Sequence, residues 1–460
     1  MAHVVVAGGG ITGLVTAYEL AKAPDRPRIT LLEASTRLGG KILTTPFAGL
    51  PAVDAGPDAF LARVPWATDL CRELGLGGQL VSPATGRAYV WHDGALRNIP
   101  GGLVLGVPAG WRRLARSGLL SARGMARAAT EPLLPTTRST RDNLGLLLRR
   151  RFGDEVLERL VDPLIGGIYA GDADEMSLEA TAPQIAEVAG RSRSLLLGLR
   201  HQLRENPPDP TRPVFYAPPD GMGQLVTELT RHLDELGGVD VRLDQALEPL
   251  ARADDGRWRA GAVEADAVVL AVPAFAAAAA VRPVSPSAAA LLGTIPYAGV
   301  VMVTLAVPER AVGRKLDGSG HLVPKPEQRH VTACSWASTK WAHWRVPGQV
   351  VLRASLGRFG DEHGLDLDDD GVVRAALADL RAHLGLTGEP TEVRVTRWPA
   401  SFPQYLPGHA GRVDAVHGAL RREAAGVFLA GAAYHGIGIP ACIRQGRDVA
   451  ATVLAQLRRR

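Results

Sequence analysis

Apolar positions along the chain follow two different periods. Continuous apolar runs stand at "HVVVA" (His3–Ala7), "RITLLEA" (Arg28–Ala34), "GGVDVRL" (Gly237–Leu243) and "ADAVVLAVP" (Ala265–Pro273). Short runs rich in β-branched residues predict strands buried on both faces, as in a parallel or mixed sheet. Between the first two runs, Ile11–Lys22 carries helical spacing, so the chain opens as a βαβ unit. From about Trp111 to Gln202 leucine/arginine periodicity of the helical kind replaces the strand pattern, as in "RDNLGLLLRRRFGDEVLERLVDPLIGG" (Arg141–Gly167), and predicts a helical insertion. "GVVMVTLAV" and "QVVLRASLG", between Tyr297 and Leu356, predict a second sheet. The chain closes with "GVFLAGAAYHGIGIPACIRQGRDVAATVLAQL", which reads as strand, glycine-rich loop and helix. The apolar run Ala267–Val281 contains Pro273 and is too short to span a bilayer, so it predicts a buried strand, a turn and a small-residue helix. Asp361–Gly371 ("DEHGLDLDDDG") is expected to be a solvated acidic loop.

A chain of 460 residues is too long for one ordinary core and predicts two or three domains. Hydrophobic residues at 46% and charged residues at 22% exclude a disordered chain. The net charge of +5 is modest, but only Lys22, Lys41, Lys315, Lys325 and Lys340 are lysines, leaving 47 arginines. Part of that excess fits a GC-rich genome; the remainder favours a ligand bearing carboxylates or phosphates, which guanidinium forks pair with. Cys71, Cys334 and Cys442 lie far apart, which argues against a disulfide framework, an iron–sulfur cluster or structural zinc and fits a reducing cytosol. No metal site and no nucleic-acid partner are expected. "MAHVVVAGGG" lacks the charged flank, apolar core and cleavage site of a signal peptide, so none is expected.

The turn after the first strand reads "GGGITG" (Gly8, Gly9, Gly10, Ile11, Thr12, Gly13). Alone, GxGxxG is weak; between a strand and a helix it is what a dinucleotide needs. Gly8 permits the turn, Gly10 lets backbone amides approach a pyrophosphate, and Gly13 allows close helix–strand packing, with the helix N-terminus supplying positive charge. Glu33 ends the second strand twenty residues after Gly13, where its carboxylate can accept hydrogen bonds from ribose hydroxyls. An acid there suits FAD or NAD and opposes NADP.

Glu33 opens "EASTRLGGK", so Ala34, Arg37, Gly39, Gly40 and Lys41 follow in a set pattern of a cation and a glycine pair. This ExxxRxGGK extension resembles the second half of the FAD signature of the monoamine oxidase and protoporphyrinogen oxidase superfamily, and it selects FAD over NAD. Leu247, in "VRLDQALEPL", matches the superfamily position that places an apolar residue against adenine. "FLAGAAYHGIGIP", with Gly431 and Gly436, resembles the flavin-closing motif, whose amides at Gly436, Ile437, Gly438 and Ile439 would lie under the isoalloxazine at a helix N-terminus. Cys442 lies beyond that loop, so the FAD is expected to be non-covalent.

Within the superfamily, the blocks "DAGPDAFLARVP" (Asp54–Pro65), "PLIGGIYAGDADEMSLEATAPQI" (Pro163–Ile185), "PPDGMGQLVTEL" (Pro218–Leu229), "RWPASFPQYLPGH" (Arg397–His409) and "LAGAAYHGIGIPACIRQGRDVA" (Leu429–Ala450) resemble the protoporphyrinogen/coproporphyrinogen oxidase family. With the N-terminal signature they cover nearly the whole chain. The resemblance implies FAD contacts at Gly8–Gly13, Glu33, Ala34, Lys41, Gly56, Pro57, Asp58, Leu247, Trp398 and Ile437–Ile439. It also implies the reaction: three successive two-electron oxidations of a porphyrinogen, with molecular oxygen as final acceptor and hydrogen peroxide as product. The flavin carries that chemistry, so no protein base is assigned. His409 and His435 are the available histidines, and both are expected to be structural.

A porphyrinogen is a broad apolar ring edged with propionates, so its pocket needs flat walls and cationic anchors. The expected loop Gly166–Ala170 offers Gly167 for close approach and Tyr169 as a wall, and Arg63 is the candidate propionate anchor. The arginine-rich helices of Trp111–Arg127 would line the funnel or touch a membrane surface, with a solvated face as the alternative. Abundant arginine, the expected lack of a targeting peptide and a composition that fits a high-GC bacterium, for which the family resemblance implies the coproporphyrin route, favour coproporphyrinogen III, with four propionates, over protoporphyrinogen IX, with two. A haem-pathway enzyme is a further partner to consider. The rivals are another flavin oxidase of this fold, such as an amine oxidase or carotenoid desaturase, and a non-catalytic binding protein such as a Rab GDP-dissociation inhibitor.

The expected architecture is α/β: a discontinuous, Rossmann-like FAD domain of the two-dinucleotide type (1–85, 203–280 and 395–460), a mixed-sheet substrate domain (86–110 and 281–394) and a helical insertion (111–202). A cytoplasmic protein is expected.

Overall fold

In the computed structural model, which describes residues 1–136, 142–207, 209 and 211–459, the buried apolar runs assemble into one five-stranded parallel sheet. Arg141, at the head of the quoted helical segment, and Arg460, at the end of the expected FAD domain, lie outside the described residues. The strand order is Val239–Arg242, Arg28–Leu32, His3–Ala7, Ala267–Leu270 and Val427–Leu429. Three separated stretches of chain therefore meet in one sheet. Because side chains alternate along a strand, Val4 and Val6 enter a core with Leu14 and Val453, while Val5 and Ala7 enter the opposite core with Ala277 and Val416. All three valines are fully buried, and each contributes about 1.5–3 kcal/mol. This double burial explains why the runs show no polar alternation.

The helix Ile11–Ala21 and the last helix, Ile439–Leu457, pack together on the first face. A three-stranded meander (Ala251–Arg252, Trp258–Ala260, Val263–Ala265) lies on the other, with Trp258 fully buried. Ala274–Val281 is the small-residue helix that the apolar run predicts, and Pro286–Gly293 packs beside it in the same core. That second helix falls beyond the expected boundary at 280, because its Ala288 and Leu292 share apolar surface with Val413.

A seven-stranded mixed sheet forms the second layer, in the order Glu392–Pro403, Tyr297–Pro308, Gln349–Leu356, Val331–Trp336, Gly320–Leu322, Tyr89–His92 and Ala95–Asn98. Its first strand pairs from Glu392 to Pro403, so a boundary at 395 would cut a strand; the sheet claims the chain as far as Pro403. The acidic stretch Asp361–Gly371 is not a solvated loop. It includes the short helix His363–Asp366 and the start of Asp369–Leu384, where Asp368 Oδ1 accepts from Gly371 N at 2.7 Å and Asp369 and Asp370 stand in the first turn. Carboxylates there complement the positive end of the helix.

The helical insertion packs Leu144–Phe152, Asp162–Tyr169, Pro183–Arg191 and Leu195–Glu205 around Leu148, Ile165, Ile185 and Leu199. Within it Arg151 and Glu131 form a fully buried ion pair, and Glu131 also accepts from Leu195 N at 2.8 Å, capping a helix. Among the described residues no helix is long and apolar enough to cross a membrane. The three cysteines are free and buried.

Candidate active site

The glycine turn is shaped by contact. Gly8 has φ +104°, and a β-carbon there would fall 2.5 Å from Ala271 O; one on Gly13 would fall 1.8 Å from Gly8 O. The helix is thus pressed against the strand as closely as backbone permits. Gly10 differs, since a β-carbon there would meet nothing within 4 Å. Its face opens onto free space at the head of a helix whose residues are almost all buried, which has no side-chain cap and no acid in its first turn. Ile11 and Thr12, in that turn, are buried. Unsatisfied N–H groups and the positive helix end therefore face an open cradle, which is the chemistry of a pyrophosphate site.

Glu33 closes one side of the cradle. Its Oε2 accepts from Gly9 N at 2.7 Å, and its Oε1 accepts from Ser35 N at 2.9 Å and Ser35 Oγ at 2.8 Å. A carboxylate offers about four lone-pair sites, so capacity for a ribose hydroxyl remains. Ala34 beside it is exposed. Gly39 N donates to Gly9 O at 2.8 Å, which lays the glycine pair alongside the turn, and Gly40 approaches Gly10. Arg37 donates to Leu38 O and Ile42 O at 3.1 Å and to Gly40 O at 2.6 Å. Its guanidinium thus braces the loop, a role that the motif spacing did not reveal. Lys41 is exposed, and desolvation by the protein packed around it lowers its pKa below the usual lysine value.

Gly56, Pro57 and Asp58 form the loop beneath. Lys340 Nζ donates to both Asp58 oxygens at 2.9 Å, Trp341 Nε1 donates at 3.1 Å, and Arg353 Nη1 lies 3.2 Å away. Burial alone would raise the carboxyl, but Lys340 and Arg353 outweigh it and hold it well below the usual range. Arg353 also donates to Gly56 O. Trp398 Nε1 donates to Ala55 O at 3.2 Å, fastening the same loop to the seven-stranded sheet. Leu247 is half-buried against the second core of the parallel sheet.

In the C-terminal loop, a β-carbon on Gly431 would again meet nothing within 4 Å. Gly431 N donates to Gln445 Oε1 at 3.3 Å. The Gly436 amide donates to Tyr405 Oη at 2.9 Å, and Tyr405 Oη donates to Ala432 O at 2.6 Å. The Gly436 amide is therefore engaged by Tyr405. Gly438 caps the helix that starts at Ile439 without any side-chain hydrogen bond, so Ile437–Ile439 retain the open helix end. Cys442 is buried, and burial pushes its thiol up to about 11.

Tyr405 stacks on His409 with ring centroids 4.0 Å apart. His409 is fully buried, its Nε2 donates to Tyr434 O at 3.2 Å, and burial lowers its pKa to about 4. It is a neutral structural group at pH 7. His435 is exposed and lies parallel to His417 at 6.0 Å.

Tyr169 is buried 5.8 Å from Tyr405, ring to ring. The segment Gly166–Ala170 is not a loop: it is the last turn of the helix Asp162–Tyr169, ended by Ala170 at φ +48°. Gln404 Nε2 donates to Tyr169 O at 3.0 Å, and Phe359 N donates to Ala170 O at 2.7 Å. Arg358 pairs with buried Asp162 at 2.8 and 3.1 Å and donates to Gly171 O at 2.6 Å. Gly167 and Ile168 face outward. Arg63 is exposed, makes no hydrogen bond or ion pair among the described residues, and shares none of the contacts of the Tyr169 cluster. Lys340, Trp341, Arg353 and Arg358 carry no signal in the sequence, because their partners lie far away along the chain; Gln404 lies in the quoted block Arg397–His409, whose pattern does not show its role.

Three comparisons bear on this site. Residues 11–454 match the model of the flavin containing amine oxidoreductases. The chain is similar to the coproporphyrinogen III oxidase of Bacillus subtilis, at 36% identity over 99% of this chain and 98% of that protein. The coproporphyrinogen III oxidase of Mycobacterium bovis is likewise 36% identical, over 98% of this chain and 97% of its own. A crystal structure of a provisionally named protoporphyrinogen oxidase from Exiguobacterium sp. 255-15 superposes with a TM-score of 0.87 at 33% identity, covering 99% of each chain.

Proposed function

The chain belongs to the flavin-containing amine oxidoreductase family, and we propose that it oxidises coproporphyrinogen III to coproporphyrin III. It is an oxidoreductase with a flavin cofactor. The observation that carries the substrate reading is the full-length match to coproporphyrinogen III oxidases. The cradle at Gly10, the carboxylate at Glu33 and the two uncapped helix ends suit an extended, non-covalent FAD.

The bound flavin supplies two-electron acceptance. In our reading each turnover removes two hydrogens from the macrocycle and passes them to oxygen, so three turnovers consume three O₂ and release three H₂O₂. The protein holds and orients. The N-terminal helix end and Lys41 balance the phosphates, Glu33 takes the ribose, and Tyr169, fixed by Gln404 and Arg358, presents a flat wall. His409 is neutral and hydrogen-bonded elsewhere, so proton release falls to solvent.

Arg63 is the proposed propionate anchor, supported by its exposed, unpaired guanidinium. Arg63→Ala should raise the KM for porphyrinogen with the flavin spectrum unchanged; an unaltered KM would remove it from the site. The proposed domains are those expected from the sequence, with the sheet boundary moved to Pro403 and Pro286–Gly293 joined to the FAD domain. Cytoplasmic location, peripheral membrane contact and hand-over to a haem-pathway enzyme belong to the same reading. Its support in this chain is the three buried free thiols and the exposed arginines of Trp111–Arg127.

The test is porphyrin fluorescence under air with freshly reduced coproporphyrinogen III or protoporphyrinogen IX against a no-enzyme control. Faster catalysed oxidation of the four-propionate substrate supports the proposal. Preference for protoporphyrinogen IX would favour the second reading, which the name of the Exiguobacterium structure motivates. Oxidation of neither would overturn both.

A further inference from the structure

We infer that a concavity between the edge strand Ala95–Asn98 and the helix Trp111–Ser117 is a binding site for a small multivalent oxyanion of the carboxylate or phosphate class. The cavity measures about 570 Å³ and is lined by Arg97, Arg113, Arg116 and Asn98. None of these residues belongs to the flavin cradle or the Tyr169 cluster. A space of several hundred Å³ is within the range of small-molecule sites.

Among the described residues Arg112, Arg123, Arg150 and Arg200 also stand without an ion pair; what is particular here is that three such arginines line one cavity. Elsewhere in the helical insertion Arg149, Arg151 and Arg159 each pair with carboxylates. Arg97, Arg113 and Arg116 form no ion pair or side-chain hydrogen bond among the described residues, and the buried Arg97 Nε has no hydrogen-bond partner. Three like charges around one cavity repel one another unless an anion lies between them.

Their positions are built by packing. The Arg97 guanidinium lies against Gly118, where a β-carbon would stand 2.6 Å from Nη1; the Arg113 guanidinium lies against Gly101, where a β-carbon would stand 2.9 Å away. Both cations are thereby laid along backbone that lacks side chains, which limits their freedom before a ligand arrives. Acidic residues stand on the other side of Arg97, in a neighbouring cavity of about 530 Å³. There Glu327 is already engaged by His92 and by Asp93 N at 2.8 Å. Planar guanidinium forks match carboxylate and phosphate oxygens two at a time, and three of them call for a ligand with two or three negative charges.

The test is calorimetric titration of fully flavin-loaded protein at low ionic strength with inorganic pyrophosphate and, separately, with citrate. Saturable one-to-one binding of either probe is expected, weakened at least tenfold in the double variant R113A/R116A and in R97A. Flavin absorbance that matches wild type shows that each variant is folded, and either variant suffices for the test. R112A removes the same charge from the same helix outside the cavity and should stay within twofold of wild type. Binding of pyrophosphate alone assigns the phosphate class, and of citrate alone the carboxylate class. Absence of saturable binding by both, or equal weakening in R112A, would overturn the site. The measurement reads binding and not turnover, so it stands apart from the substrate reading.

Discussion

The hydroxyl of Tyr405 bridges the two sides of the C-terminal glycine loop, donating to Ala432 O at 2.6 Å and accepting from Gly436 N at 2.9 Å. One side chain therefore sets the curvature of the segment that leads into the last helix. Removing the hydroxyl leaves a half-buried amide and a half-buried carbonyl without this partner, at a cost of about 1 kcal/mol. Tyr405→Phe should lower the melting temperature and release flavin faster on dialysis. Retention and melting equal to wild type would show that the loop holds its shape without the bridge.

Gly10 and Gly13 should fail in different ways. Gly10→Ala places a methyl group in open space, so the protein should fold, melt cooperatively and remain colourless. Gly13→Ala drives a β-carbon into Gly8 O and should prevent soluble expression. A yellow, flavin-saturated Gly10→Ala protein would argue that the cradle lies elsewhere.

His409 makes stability depend on pH. Its folded-state pKa is lowered to about 4 by burial, below the value of about 6.5 for a free histidine. The unfolded chain therefore binds a proton that the folded chain resists. The stabilising contribution is complete above pH 6.5 and is lost as pH falls through 4. At pH 5 the loss amounts to about 2 kcal/mol. Urea unfolding at pH 7.5 and pH 5 should show wild type losing more than His409→Asn by about that amount. Equal losses would mean that His409 titrates normally.

Arg358 should hold the helix that carries Tyr169. Its bidentate pair with Asp162 is buried, so Arg358→Ala strands a carboxylate and should cost about 3–5 kcal/mol of stability. Arg358→Lys cannot restore the two-point geometry and should recover only part of it. Chemical denaturation of the three proteins decides this; full recovery by lysine would reduce the pair to simple charge.

Local pattern was enough for much that depends on near neighbours. The buried strands, the glycine turn, Glu33 at the strand end and the small-residue helix all arise from periods of two or 3.6 and from residues within about one βαβ unit. Two local readings failed for physical reasons. Gly166–Ala170 was expected to be a loop because of its glycines, yet packing against Arg358 and Gln404 completes it as a helical turn. The acids near Asp368 are solvated as expected, but they stand not in a loop but at a helix start, where charge and N–H groups are complementary.

By itself, then, the sequence determined the buried strands of the core, the dinucleotide turn and the family, because these rest on spacing and on residue identity. Only the tertiary structure decided which charges meet. Asp58 finds Lys340 across 282 positions of chain, and Arg358 finds Asp162 across 196. No local period encodes such pairings. They exist because two sheets and a helical layer pack in one arrangement, and burial there leaves each charge a single way to be satisfied.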